Sequence, residues 1–432
     1  MVHDGGDTLA GEARASRDFS DAAWFRAPGL RIVMDLLNKD GGEARIVGGA
    51  VRNALMGLEP SDFDIATTLK PREVIDRAEA AGLKAIPTGV DHGTVTLVHK
   101  GQPFEVTTLR ADVATDGRRA DVVFGTDWAV DAARRDLTIN ALYLDWHGKV
   151  IDLVDGLPDV ETRTVRFIGD AERRIQEDYL RILRFFRFFA WYGGGRPDAD
   201  GLKAAARLKS GLSHLSAERV WSETKKLLSA PDPSRALLWM RQAGVLTAIL
   251  PETEKWGIDS IPGLIHAEDA FGWAPDPMLR LMAIVPPDGE RLAALAKRLK
   301  LSKAEAARLE RFSSVSLPRH DIGDLAFARS LYAQDVGAVR DRLRLAIASA
   351  RTRARTDKNA LSEAAGYSRL IDRVEKWQRP VFPISGNDLI EVGTEPGPEL
   401  GALQKRLEEA WVASNFTLGR DQLLAKAEGK DA

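Results

Sequence analysis

Cysteine is absent from all 432 residues. That excludes disulfide staples, thiolate zinc sites and cysteine nucleophiles, and it fits a reducing compartment such as the cytoplasm. Histidine is scarce, with seven, and no H-E-x-x-H or comparable zinc spacing occurs. No run approaches the ~18 consecutive apolar residues of a membrane helix, so no membrane association is expected. Charge of one sign is also lacking: 61 Lys and Arg face 63 Asp and Glu, for a net −2. A near-neutral total argues against blanket attraction to nucleic acid. Residues 1–22 show neither a basic n-region nor an apolar h-region and read as a disordered start, not a secretion signal. What is present, 44 % hydrophobic and 29 % charged residues, is the composition of a globular chain of two to four domains.

The neutral total hides local asymmetry. Residues 163–196 hold eight arginines against four acids, and residues 291–311 and 340–358 each hold seven basic residues against two acids. Such clusters read either as solvated helix faces or as an electrostatic footprint for nucleic acid. The texture changes once along the chain. Short β-rich runs recur at 44–47, 63–66, 94–98, 104–108, 139–144 and 150–154, with helical stretches at 50–56 and 71–81 between them. After Gly156 strands almost disappear. The pattern predicts one amphipathic helix over 170–192, stopped by Gly193-Gly194-Gly195. Further helices are expected at 216–229, 233–243, 290–299, 302–313 and 336–356, then a loop over 383–401 and a last helix over 399–413.

Three segments carry chemistry. Arg45-Ile46-Val47-Gly48-Gly49-Ala50-Val51-Arg52 reads as strand, glycine turn and helix start. Such a turn lets backbone approach a phosphate closely, and Arg52 can clamp a phosphate oxygen. In Ser61-Asp62-Phe63-Asp64-Ile65, strand alternation puts Asp62 and Asp64 on one face and Phe63 and Ile65 on the other. Two carboxylates side by side repel, a placement that makes sense around a divalent cation such as Mg²⁺. On the predicted 170–192 helix, Glu177 and Arg181 are i,i+4, Asp178 and Arg181 are i,i+3, and Arg184 and Arg187 extend the stripe. As an exposed lattice this is unremarkable. As a binding edge, Asp178 accepts from the exocyclic amine of cytosine or adenine while Arg181 donates to the adjacent ring nitrogen. Guanine and uracil present the reverse pattern.

Together these segments resemble the tRNA CCA-adding and bacterial poly(A) polymerase family of polymerase-β-type nucleotidyltransferases. Gly48-Gly49-Ala50-Val51-Arg52 with Asp62-Phe63-Asp64 and Thr67 resembles its opening motif. Arg134-Arg135-Asp136-Leu137-Thr138-Ile139-Asn140-Ala141 resembles R-R-D-x-T-x-N-A. Asp152-Leu153-Val154-Asp155-Gly156 resembles the head–neck hinge, Glu177-Asp178-Tyr179-Leu180-Arg181-Ile182-Leu183-Arg184 the nucleotide-selecting motif, and Leu215-Ser216-Ala217-Glu218-Arg219 the start of a supporting helix. They stand in the family's order across residues 44–230. Two departures are Asn53, where many members have aspartate, and Leu137, where many have phenylalanine.

The resemblance implies an α+β fold: a mixed-sheet nucleotidyltransferase head (23–155), a helical neck (156–230), a helical body (231–335) and a tRNA-binding helical tail (336–432). It implies template-independent addition of C-C-A to tRNA 3′ ends from CTP and ATP. Asp62 and Asp64 would hold Mg²⁺, Glu105 would be a third carboxylate, and Gly48, Gly49, Arg52 and Arg135 would face the triphosphate. Asp178, Arg181, Arg184 and Arg187 would take base and phosphates, and Asp136 and Asn140 the ribose or the bracing of their loop. Residues 112–122, centred on Asp116-Gly117-Arg118-Arg119, resemble the family's flexible loop. A poly(A) polymerase, a partial CC- or A-adding enzyme and a non-catalytic tRNA binder are the alternatives. His266 and the pair His320-Asp321 lack a second His-rich motif, so no phosphohydrolase activity is expected.

Overall fold

The computed structural model describes residues 17–115, 120–254, 257–354 and 356–429. Two compact units divide the chain, Met1–Ile249 and Leu250–Ala432.

The first unit opens with α1 (Pro28–Leu37), β1 (Ala44–Val47), α2 (Gly49–Leu55), β2 (Asp64–Thr67) and α3 (Pro71–Ala80). Proline at its first position starts α3, and the Glu73 carboxylate accepts the Lys70 N–H at 2.8 Å. Then come β3 (Lys84–Gly89), β4 (Thr94–His99), β5 (Gln102–Thr108) and a hairpin of β6 (Arg110–Thr115) with β7 (Ala120–Phe124). Its tip, residues 116–119, lies outside the described residues, and with it the expected loop residues Asp116, Gly117 and Arg118. After α4 (Trp128–Ala133), β8 (Leu142–Leu144) and β9 (Val150–Asp152) complete a seven-stranded sheet in the order β3-β4-β5-β2-β1-β8-β9. Within it β2 runs parallel to β5 and antiparallel to β1. Val47, Ala66, Leu109, Ala132 and Tyr143 pack as one buried cluster beside this centre.

The strand expected over 139–144 begins only at Leu142, because Thr138–Asn140 form a 3₁₀ turn. The Asp136 carboxylate accepts the Leu137 N–H at 2.9 Å and sets that turn. Strand β3 and the β6–β7 hairpin had no clear signal: β3 is half-exposed and holds Pro87.

Helices follow: α5 (Gly156–Glu161), α6 (Ala171–Glu177), α7 (Leu180–Tyr192), α8 (Ala199–Leu208), α9 (Ala217–Leu228), α10 (Ser234–Gln242) and α11 (Val245–Ile249). The expected single helix over 170–192 is two. Asp178 between α6 and α7 is extended (φ −157°, ψ 109°), and its carboxylate accepts the Leu180 N–H at 3.0 Å, capping α7. The break is packed in place, for the Tyr179 ring lies so close to Gly211 that a Cβ there would stand 2.0 Å from it.

The second unit is helical throughout its described residues: α12 (Ser260–Phe271), α13 (Pro277–Ile284), α14 (Gly289–Arg298), α15 (Lys303–Ser314), α16 (Asp324–Ala333), α17 (Val336–Arg353), α18 (Lys358–Glu375), α19 (Gly386–Glu391), α20 (Pro398–Ala413) and α21 (Arg420–Ala427). Helix α19 occupies the stretch expected to be loop; Ser385 and Asp388 cap it reciprocally. One core joins Phe327, Leu343, Ile347 and Leu370, and another gathers around Trp411, Leu407 and Leu389. Much of the 340–358 charge is structural. Arg340, Arg342 and Arg344 are half-buried, Arg342 donates to the Phe312 carbonyl, and Arg353 pairs with Glu363 at 2.6 Å. No helix among the described residues is long and apolar enough to cross a membrane.

Candidate nucleotide-binding site

A cleft of about 520 Å³ opens in the first unit. The head contributes Gly48, Gly49, Arg52, Asp64, Arg134, Arg135, Asp136 and Asn140, and the neck Asp178, Arg181, Arg184, Arg187, Phe188, Tyr192 and Arg219. Ten of the residues expected from the sequence are thus brought to one cavity with Asp64.

The carboxylate end is built by strand register. Asp64 opens β2 and stands opposite Glu105 on β5. Asp62 lies just before the strand, not within it, but the alternation holds: Asp62 and Asp64 reach solvent while Phe63 and Ile65 are buried. Crowding by the protein, then repulsion from Glu105 and Asp62, pushes the Asp64 carboxyl up to about 6 against the pull of Arg135. Gathered negative charge of this kind is what a divalent cation relieves. Among the described residues no three or more Asp, Glu, His or Cys side chains form a ready cage. Two aspartates with phosphate oxygens completing the shell is the donor set the site offers, and it fits a hard divalent cation.

The arginines are held by a network the sequence showed only in part. Asp131, 1 % exposed on α4, accepts from Arg134 at 2.5 and 2.9 Å, from Arg135 at 3.0 Å and from the Tyr143 hydroxyl at 2.7 Å. Burial alone would raise that carboxyl, but the two guanidiniums hold it below the usual range. The i,i+3 and i,i+4 spacing of Asp131 to Arg134 and Arg135 was a readable signal for this clamp. Asp136 accepts from Arg184 at 2.6 Å, and Asn140 in turn accepts from Arg52 at 2.5 Å. Asp136 and Asn140 are thus each engaged with an arginine of the cleft. Arg187 donates to Glu223 on α9 at 2.6 Å. Arg184 and Arg187 line the cleft with these pairs already made.

The Asp178–Arg181 pair departs from the helical-stripe geometry. Glu177 does orient Arg181, at 2.5 Å, and the Arg181 guanidinium also donates to the Arg174 carbonyl at 3.0 Å. Asp178 is bonded instead to Arg219 of α9, at 2.6 Å. Each carboxylate oxygen has a second lone pair, so Asp178 keeps acceptor capacity toward the cleft.

A mixed sheet carrying paired aspartates, with an arginine-lined cleft closed by helices, defines a polymerase-β-type nucleotidyltransferase head on a helical neck. Residues 44–166 match the Poly A polymerase head domain family, and residues 197–256 match the family described as the probable RNA and SrmB-binding site of polymerase A. The mitochondrial CCA tRNA nucleotidyltransferase 1 of Mus musculus is 36 % identical over 404 residues, 92 % of this chain and 89 % of that protein. The CCA-adding enzyme of Geobacillus thermodenitrificans is 40 % identical over 224 residues, 51 % of this chain and 54 % of that one. The crystal structure of the Bacillus stearothermophilus CCA-adding enzyme in complex with CTP is 26 % identical, with a TM-score of 0.70 over 93 % of this chain and 96 % of that chain. The chain belongs to the family of CCA-adding tRNA nucleotidyltransferases and poly(A) polymerases. Nucleotidyltransferases of this family depend on divalent metal.

Proposed function

We propose that this protein completes the 3′ C-C-A end of tRNA from CTP and ATP without a nucleic-acid template. The observation that carries this reading is that one cleft is lined by Asp64 and also by Asp178 and Arg181. One end suits phosphoryl transfer, and the other suits two bases out of four.

In the reaction the tRNA 3′-oxygen bonds to the α-phosphorus, the bond to the β-phosphate oxygen breaks, and pyrophosphate and a proton leave. Asp62 and Asp64 would hold Mg²⁺, which when bound neutralises phosphate charge and acidifies the hydroxyl. Glu105, opposite Asp64 in the strand register, would act as a third carboxylate toward the hydroxyl. Gly48 and Gly49 leave room for phosphate, and Arg52 and Arg135 face it. Asp178 accepts from the exocyclic amine of C or A, and Arg181 donates to the ring nitrogen. GTP or UTP would leave buried groups unpaired, at about 1–3 kcal/mol each. The segment 336–432 is assigned to phosphate contacts with tRNA, which fix distance rather than sequence. The cysteine-free composition supports a cytoplasmic setting.

The test is a product gel on a tRNA lacking its last three nucleotides, with the four nucleotides offered singly and together. Three additions that stop, from CTP and ATP only, are expected. A long ladder from ATP alone would make the protein a poly(A) polymerase.

A further inference from the structure

Arg52 is the anomaly of the cleft. It is 5 % exposed, and a buried guanidinium normally meets a carboxylate. Its neighbours follow that rule: Arg135 has Asp131, Arg184 has Asp136 and Arg187 has Glu223. Among the described residues, the hydrogen-bond acceptors of Arg52 are all neutral. They are the amide oxygen of Asn53 at 2.9 Å, that of Asn140 at 2.5 Å and the Tyr192 hydroxyl at 2.8 Å. The Tyr192 ring also lies under the guanidinium, 3.8 Å from its centroid to the central carbon, and stacks in turn on Phe188.

We propose that Tyr192 is a positioning residue for polyphosphate. The last residue of α7 fixes Arg52 by ring and hydroxyl together, so that its charge reaches the cleft with no hydrogen-bonded carboxylate among the described residues and meets the phosphates common to CTP and ATP. An aromatic face stabilises a cation without neutralising it. A carboxylate in the same place would spend the charge that an anionic substrate needs. Tyr192 thereby contributes to binding both nucleotides equally and reads neither base. The inference rests on the nucleotidyltransferase reading of the same cleft.

The experiment compares Tyr192→Phe and Tyr192→Leu with the wild-type protein, using a tRNA lacking its terminal nucleotides. KM for CTP, KM for ATP, kcat and inhibition by inorganic pyrophosphate are measured. Tyr192→Leu is expected to raise both KM values and the pyrophosphate inhibition constant together, by about 5- to 20-fold, with kcat changed less than twofold. Tyr192→Phe keeps the ring and the fold and should fall between, at about 2- to 5-fold. A loss of thermal stability with unchanged pyrophosphate inhibition overturns the inference by reducing Tyr192 to packing. A KM change for one nucleotide alone also overturns it, because the residue would then read a base. A wild-type protein that adds neither C nor A defeats the proposed function itself, a result separable from either variant's behaviour.

Discussion

The Asp178 carboxylate and the Arg219 guanidinium meet at 2.6 Å across the break between α6 and α7. The pair ties Asp178, the acid proposed to meet the base, to α9. One carboxylate oxygen caps α7 and the other takes Arg219, so the orientation of Asp178 is fixed from two sides. Arg219→Ala removes one of them. Steady-state incorporation should show kcat/KM reduced about 10-fold for both nucleotides, with acceptance of UTP and GTP increased, since a wandering acid no longer penalises the wrong edge. Wild-type discrimination in this variant would mean that the cap alone orients Asp178.

Gly211 guards the same break from the other side. Its missing Cβ is the space the Tyr179 ring occupies, and Tyr179 sits between Asp178 and the start of α7. Gly211→Ala should destabilise the protein by about 1–3 kcal/mol through overpacking and lower incorporation beyond what the stability loss accounts for. A melting curve and a rate measured well below the melting temperature separate the two effects.

Asp62 and Asp64 both reach solvent, so replacing either costs the fold little. Asp62→Ala and Asp64→Ala should each retain the wild-type melting temperature within a few degrees and lose incorporation by at least about 1000-fold. A tenth of the wild-type turnover in Asp62→Ala would falsify its assignment as a metal ligand.

The head was largely legible because its signals are local. The Gly48-Gly49 turn and the alternation around Asp62 and Asp64 each state a geometry that neighbours only ratify, as Ser216 before α9 does in the neck. The helix break was not legible. Residues 170–192 carry an uninterrupted helical pattern, and what overrides it is non-local: Gly211 admitting Tyr179 and Arg219 drawing Asp178 outward. The partners of the arginines were hidden for the same reason. Asp136 and Glu223 lie 48 and 36 residues from Arg184 and Arg187. Basic clusters showed where charge sits in the chain but not which charges the fold consumes, as the half-buried arginines of α17 demonstrate.

Acid stability offers a separate check on the bracing network. Burial would raise the Asp136 carboxyl, yet Arg184 outweighs it and holds the native carboxyl below its usual range. The stability this contributes is complete above the unfolded value of about 4 and is lost as pH falls through the lower native value. Asp131, held low by Arg134 and Arg135, acts in the same direction. Chemical denaturation from pH 7 to pH 3 should therefore show a steep loss below about pH 4. Asp136→Asn should flatten that loss while costing about 1–3 kcal/mol at pH 7, where Arg184 misses its anion. An unchanged acid slope would show that the pair is not intact in solution.

Arg181 tests whether protein atoms read the base. One terminal nitrogen of its guanidinium is anchored by Glu177 at 2.5 Å and the Arg174 carbonyl at 3.0 Å, and the other donates to the Arg134 carbonyl at 3.4 Å; the second N–H of that nitrogen would meet a ring nitrogen. Arg181→Ala removes that donor and leaves Asp178 with Arg219. Cytosine and adenine each then lose one hydrogen bond, while the mismatch that expelled uracil and guanine, donor against donor, disappears. The expected result is asymmetric. Incorporation of C and A falls about 10- to 100-fold, incorporation of U and G rises relative to them, and the two preferences converge. Arg181→Lys restores a charge without the planar fork and should recover rate more than selectivity. If Arg181→Ala rejects UTP and GTP as strictly as the wild-type protein, selection does not reside in this edge, and the RNA substrate itself must supply it.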